Sequence, residues 1–220
     1  MRRHDDKYIE YLGNLMTLPE TYLLEIGCGS GFRTLQLSEA GACVLAIDDN
    51  PNAVRKARER ARENEFVLRR AVFANNSVFD LQVEDNTFEA AVFSFSLHHY
   101  RRLDMHAAID QALRFVTSEG EIAFFEPGVD GTLYEAELRF KSRTDDERVA
   151  KLCAYEAMRT HRGLKLVDEL HYDEVFEFES LDDYLAAMRP KDMNGLEKYL
   201  DECHYRLNAT RRLNVYRRTG

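Results

Sequence analysis

Short apolar runs alternate with longer amphipathic stretches over the first 130 residues, and this rhythm predicts strands and helices in turn. Tyr22 to Ile26 runs apolar straight into glycines, the pattern of a buried strand entering a ligand loop. A helix is predicted over 31–40, with Leu35 and Leu37 inward and Gly41 as its left-handed cap, and a second strand over 43–47. Asn50 followed by Pro51 starts the next helix, which the alanine- and arginine-rich stretch continues to Asn64 and toward Arg70. A third strand is expected over 72–75, a fourth over 88–94, a helix capped by Asp104 as far as Thr117, and a fifth strand from Gly120 to Glu126, stopped by Pro127. Such alternation predicts an α/β fold of the Rossmann-like, doubly wound type: a mostly parallel sheet with helices on both faces and ligands beyond the carboxyl ends of its strands.

The last third breaks the rhythm. A long polar helix is predicted over 133–161, a strand over 170–178, a capping box at Ser180–Asp183 and a final alternating strand over 212–217. No repeat, low-complexity tract or linker divides the 220 residues, so one domain over 1–220 is expected, with a short N-terminal leader helix and a helical C-terminal insertion.

Composition narrows the partners. Thirty basic against thirty-nine acidic residues leave a net charge of -9, which disfavours attraction to phosphates, so no nucleic acid partner is expected. The arginines clustered at 55–62, 69–70, 211–212 and 217–218 read as solvated faces. Four cysteines without metal or disulfide spacing, no apolar leader and no membrane-length run predict a reduced, cytoplasmic protein without membrane contact. The spacing of the seven histidines and four cysteines predicts no metal.

The chemistry concentrates in Glu25-Ile26-Gly27-Cys28-Gly29-Ser30-Gly31, between a predicted strand and a predicted helix. Gly27 and Gly29 permit a sharp turn with backbone amides toward a ligand, and Gly31 permits close packing of the following helix. Asp48 ends the second strand twenty-one residues after Gly27, where a carboxylate can accept both ribose hydroxyls of an adenosine. Phe32 stands where a nicotinamide-type loop requires glycine, and no Gly-Lys-Ser/Thr follows, so a dinucleotide loop and a P-loop are both excluded. The negative charge of Glu25 suits a cationic amino acid ligand better than a diphosphate.

This constellation resembles motif I of the class I S-adenosylmethionine-dependent methyltransferases, of the small-molecule type, with Asp48 similar to the family's ribose-binding acid. The resemblance spans roughly 20–130 and includes Asp85 to Phe88, Ser94 to His99, Gly120, Glu126 and Pro127. It implies S-adenosylmethionine as cofactor, held by Glu25, Gly27, Cys28, Gly29, Gly31, Asp48, Asp49 and Ser94. The family's adenine-facing acid is replaced here by Ser77, with Val78 against the adenine face. The leader, with Tyr8 and Tyr11, helps to cover the cofactor in similar proteins, although aromatics at such positions are more often core. His98 and His99 fall at the acceptor mouth as candidate bases, one of them expected to be packed, and Glu126 is expected either to touch the acceptor or to be structural. The expectation is methyl transfer to a small-molecule acceptor. A protein or nucleic acid methyltransferase, and a cofactor-binding regulator without activity, are the alternatives.

Overall fold

In a computed structural model, which describes residues 1–4, 6–142 and 146–219, eight strands form one sheet with helices on both faces. In chain order the elements are β1 (Arg2–His4), α1 (Tyr8–Leu15), β2 (Tyr22–Ile26), α2 (Phe32–Glu39), β3 (Cys43–Asp48), α3 (Pro51–Ala61), α4 (Glu65–Leu68), β4 (Ala71–Asn75) and β5 (Phe88–Ser94). A 3-10 turn (Leu97–His99) leads to α5 (Met105–Phe115), β6 (Val116–Pro127), α6 (Thr132–Arg139), α7 (Arg148–Thr160), β7 (Leu164–Glu177), α8 (Leu181–Met188), α9 (Leu196–Glu202) and β8 (Arg206–Arg218).

The sheet order is β1-β7-β8-β6-β5-β2-β3-β4. β4, β3, β2, β5 and β6 pair in parallel, whereas β8, β7 and β1 join antiparallel beyond β6. The chain winds outward from β2 to β4, then restarts at β5 on the other side of β2. The carboxyl ends of β2 and β5 therefore flank the switch point where such sheets bind ligands.

Alternation along the strands builds two cores. Leu23, Val92, Ala123 and Phe125 face α1, α2 and α3 through Tyr8, Leu37 and Val54. Their neighbours Leu24, Phe93, Ile122 and Phe124 face α5 and α7 through Ile109 and Met158. A third core, around Phe140, Phe176, Tyr184, Tyr199 and Leu207, joins α6, α8 and α9 to the far ends of β7 and β8.

The parallel half matches its sequence pattern closely. Asn50 caps α3 by accepting from the amides of Asn52 (3.0 Å) and Ala53 (3.4 Å), but a fresh cap at Asn64 separates α3 from α4 where one helix was expected. Asp104 precedes α5 without capping it, because its carboxylate takes the Arg101 guanidinium at 2.6 Å instead.

The last third departs further. The helix expected over 133–161 is two helices: Lys141 adopts φ +52° and Phe140 is buried in the third core, its carbonyl accepting the amides of Lys191 and Asp192. Residues 143–145 of that prediction lie outside the described residues. β7 (14 residues) starts six residues before the expected strand, β8 (13 residues) is about twice its expected length, and β1 was not expected.

Candidate active site

Three residues of the glycine loop hold backbone angles that side chains rarely adopt: Gly27 at φ +79°, Gly29 at +54° and Gly31 at +78°. The turn is tied to β3 by the amides of Gly27 (2.8 Å) and Cys28 (3.0 Å), both donating to the Ile47 carbonyl. A Cβ on Gly27 would lie 2.1 Å from that of Ser96, whose hydroxyl donates to the Ile26 carbonyl at 2.6 Å and closes the loop against β5. A Cβ on Gly31 would meet that of Ala57 at 2.9 Å, so this glycine serves the packing of the loop on α3. Gly29 has nothing within 4 Å of its would-be Cβ and opens onto free space. Asp48 spans the loop and the next helix: its Oδ2 accepts from Gly29 N (2.8 Å) and its Oδ1 from Asn50 N (2.9 Å).

Two adjoining hollows share Gly27, Gly29, Asp48, Ser96 and His99. The first, about 380 Å³, is walled further by Asp49, Asn50, Ser77, Val78 and Tyr100. Burial, then the charges of Asp49 and Asp48, push the Tyr100 hydroxyl up to about 12. The second, about 280 Å³, is walled by Arg3, Cys28, Phe32, Arg33, Ser94 and Phe95. Phe95 follows β5 at φ +52°, a strained angle for a side-chain-bearing residue. It is held there by its amide on the Phe125 carbonyl (2.7 Å) and by its ring 4.2 Å from that of Phe125.

Residues 23–120 match the methyltransferase domain family. Over that stretch the chain is similar to the class I S-adenosylmethionine-dependent methyltransferases. It is 29% identical over 131 residues to an uncharacterized methyltransferase of Staphylococcus carnosus (strain TM300), an alignment covering 60% of this chain and 59% of that protein. The YcgJ protein of Bacillus subtilis shares the fold at a TM-score of 0.65 and 16% identity, over 99% of this chain and 100% of that one. The magnesium protoporphyrin IX methyltransferase of Synechocystis PCC 6803, solved with its bound cofactor, does so at a TM-score of 0.58 and 15% identity, over 96% and 77%.

Of the residues expected to hold the cofactor, Gly27, Gly29, Asp48, Asp49, Ser77 and Val78 border the first hollow, and Cys28 and Ser94 the second. Burial pushes the Cys28 thiol up, so it is a packing group and not a thiolate. Ser77 donates to Asp80 Oδ2 at 2.7 Å, which fixes its hydroxyl within its own turn. Two expected cofactor residues do not line either hollow. Gly31 is used for helix packing, as above, and Glu25 is fully buried beneath the loop, where its Oε2 accepts from the Thr34 hydroxyl. Burial raises the Glu25 carboxyl, against the Thr34 hydrogen bond that acts to lower it.

The histidine pair divides. His98 is 5% exposed and its Nδ1 contacts Glu126 Oε2; Glu126, 2% exposed, also accepts from Leu97 N at 2.8 Å. Glu126 is thus a structural anchor for the 3-10 turn and makes no approach to the cavity lining. His99 lies against His98 with the rings tilted at 44° and their centroids 4.1 Å apart, is exposed, and borders both hollows. Tyr8 is fully buried against Phe125, with centroids 4.7 Å apart, and neither it nor Tyr11 lines a hollow.

The wall that sequence reasoning missed is cationic. Arg33, 4% exposed, places Nη1 2.5 Å from Asp6 Oδ2 and leaves Nε and Nη2 without hydrogen-bond partners. Glu174, fully buried, accepts from Arg211 Nε at 2.7 Å and faces Arg3 Nη1 at 3.7 Å. A single Arg two residues past the glycine loop carries no pattern, and its acidic partners are distant in sequence: Asp6, just after β1, and Glu174 of β7. The basic clusters read as solvated faces are largely paired: Arg55 with Glu59, Arg69 with Glu65, Arg70 with Glu20 and Arg217 with Glu121.

Proposed function

We propose that this protein transfers a methyl group from S-adenosylmethionine to a small-molecule acceptor. The observation that carries the reading is the pair of hollows meeting at Gly27, Gly29, Asp48, Ser96 and His99. The residues suit the cofactor. Gly29 leaves its backbone face open, and Asp48 is oriented by two amides while retaining acceptor capacity for ribose hydroxyls. Asp49, Ser77 and Val78 would border the adenine, while Cys28 and Ser94 would border the amino acid end. Arg33 Nε, which lacks a hydrogen-bond partner, would match a carboxylate there. Glu25 would act from beneath the loop, by charge and by holding Thr34.

When bound, the cofactor supplies an electrophilic methyl on a sulfonium. The protein's part is to hold the acceptor in line with it, a positioning effect that accounts for much of the acceleration in such displacements. His99, which borders both hollows, would take the acceptor's proton, and the buried Glu126–His98 pair holds the turn that carries it. The small volumes of the hollows and the net charge of -9 favour a small acceptor over a nucleic acid. No helix among the described residues is long and apolar enough to cross a membrane.

Calorimetric titration with S-adenosylmethionine, S-adenosylhomocysteine and NAD tests the reading. Both sulfur ligands should bind and NAD should not; the reverse pattern would overturn it. Release of S-adenosylhomocysteine in the presence of a panel of small hydroxyl, amine and thiol compounds then identifies the acceptor class.

A further inference from the structure

The second hollow carries a surplus of positive charge. Three guanidinium groups gather around the buried Glu174: Arg211 Nε at 2.7 Å, Arg3 Nη1 at 3.7 Å and Arg33 Nη2 at 3.9 Å. Asp6 takes Arg33 Nη1 at 2.5 Å, so among the described residues three cations meet two carboxylates in these ion pairs. The other acids nearby do not restore the balance. Asp48 is turned to the amides of Gly29 and Asn50, and burial raises Glu25 toward its neutral form. The crowding is felt at Arg3: burial lowers its guanidinium, Glu174 acts to raise it, and Arg33 and Arg211 act to lower it further. A partly desolvated cation without a full counter-charge is a place for an anion.

The three guanidiniums are not equivalent. The side chains of Arg33 and Arg211 are 5% and 12% exposed, whereas that of Arg3 is 34% exposed and borders the hollow, within reach of a ligand. Pairing of β1 with β7, Arg3 opposite Phe176, sets the residue in place. Its Cζ lies over two aromatic rings, 4.4 Å from the centre of Phe32 and 5.4 Å from that of Phe176. Such stacking holds the plane of an arginine and leaves its N–H edge for hydrogen bonds. At 3.7 Å, Glu174 is too far to accept one.

We propose that Arg3 anchors a carboxylate of the methyl acceptor, so that the substrates are small organic acids whose apolar body lies against Phe32 and Phe95. The inference rests on the methyl-transfer reading, in which Arg33 Nε is matched by the cofactor's own carboxylate. Arg3 then serves the other ligand of the same hollow. His99 borders that hollow too, so one wall offers the anchor and another the proton acceptor. A guanidinium fork grips a carboxylate in one plane and fixes its orientation as well as its affinity. Orientation is what an in-line displacement needs.

The test uses protein saturated with S-adenosylhomocysteine and titrated with benzoate and phenylacetate beside their neutral counterparts, benzamide and phenylacetamide, by calorimetry and saturation-transfer NMR. Each carboxylate should bind about tenfold tighter than its amide, and the preference should shrink as salt is added. Arg3→Gln should abolish the preference while S-adenosylhomocysteine binds as in the parent. Arg3→Lys, which keeps the charge but not the fork, should lower the preference without removing it, and decides the matter if thermal melting shows that Arg3→Gln is not folded. Arg217→Gln is the control, because Arg217 pairs with Glu121 at 2.8 Å and lines neither hollow. The proposal is overturned if neither carboxylate outbinds its amide, if the folded Arg3 variants keep the full preference, or if Arg217→Gln removes it. Weakened S-adenosylhomocysteine in Arg3→Gln would assign Arg3 to the cofactor and overturn it as well. Protein that binds S-adenosylhomocysteine without preferring carboxylates loses this proposal alone; protein that binds neither sulfur ligand loses the methyl-transfer reading and this one with it.

Discussion

The two hollows sit side by side, yet their walls are made by different means. The first is walled by loops that each follow one parallel strand, and its key contacts are backbone amides and short side chains within the β2–β3 and β5 region. The wall of the second depends on ion pairs that link Arg33 of α2 to Asp6, just after β1, and to Glu174 of β7, which also holds Arg3 of β1 and Arg211 of β8. A loop fixed by its own hydrogen bonds is rigid before any ligand arrives. A wall of ion pairs between distant segments is only as firm as those pairs. The contrast suits a generic cofactor lobe beside an adaptable one.

The largest effect is expected from the rigid side. Gly27→Ala puts a Cβ 2.1 Å from that of Ser96 at φ +79°, so the loop must move. A cost of about 2–5 kcal/mol, divided between folding and cofactor binding, follows from overpacking plus backbone strain. Denaturant unfolding combined with S-adenosylhomocysteine titration measures both parts, and a variant like the parent in each would show that the loop is not the rigid element.

Next, His99→Ala should lower turnover by roughly a hundredfold while cofactor affinity stays close to the parent's. The falling rate on the acid side of the pH profile should also disappear. Equal losses in turnover and cofactor affinity would mean that His99 belongs to the cofactor lobe alone.

Asp48→Ala should weaken S-adenosylhomocysteine by about 1–3 kcal/mol, since it removes a charged acceptor and frees the amides of Gly29 and Asn50. An unchanged dissociation constant in a folded variant would remove Asp48 from the site.

The smallest effect separates the two walls by the sign of their response to acid. Burial acts to raise the Asp6 carboxyl, but Arg33, Gln36 and the Tyr8 amide outweigh it and hold it below its ordinary 3.8. A carboxyl lowered in the folded state contributes stability above its unfolded value, and loses it as pH falls below that value. Glu25 is raised, so its contribution has the opposite sign: present in acid and lost as pH rises through the folded value. Below about pH 4, amide exchange should therefore quicken in β1 and α1 relative to β2, and Asp6→Asn should remove most of that difference. Uniform quickening would dissolve the distinction between the walls.

The same contrast explains what was legible in the sequence. Leu23 and Leu24, or Ile122 and Phe125, declare a strand because each half of the alternation meets a core. Asn50-Pro51 and the glycine loop are local devices whose partners lie within one βα unit. Arg33 has no such neighbourhood: Asp6 is twenty-seven residues before it and Glu174 far beyond. Glu25 was read from its charge, but its burial depends on Thr34 and on the sheet above it. The break after Phe140 was invisible because no glycine or proline marks it; the side chain leaves the helix to enter a core built by α8 and α9.

The antiparallel strip has a consequence in time. Of these eight strands β1 leaves the ribosome before the others, but its register partners, Arg2 with Glu177 and His4 with Val175, follow only after six of them. Once β6 has emerged, the parallel strands can pair and form the glycine loop, while β1 still lacks a partner. At synthesis rates of about 5–20 residues per second, the fifty residues from Pro127 to Glu177 take about 3–10 s to appear. For that interval the nascent chain carries a folded glycine loop with an unfinished side wall, and β1 must wait unpaired until β7 has been added.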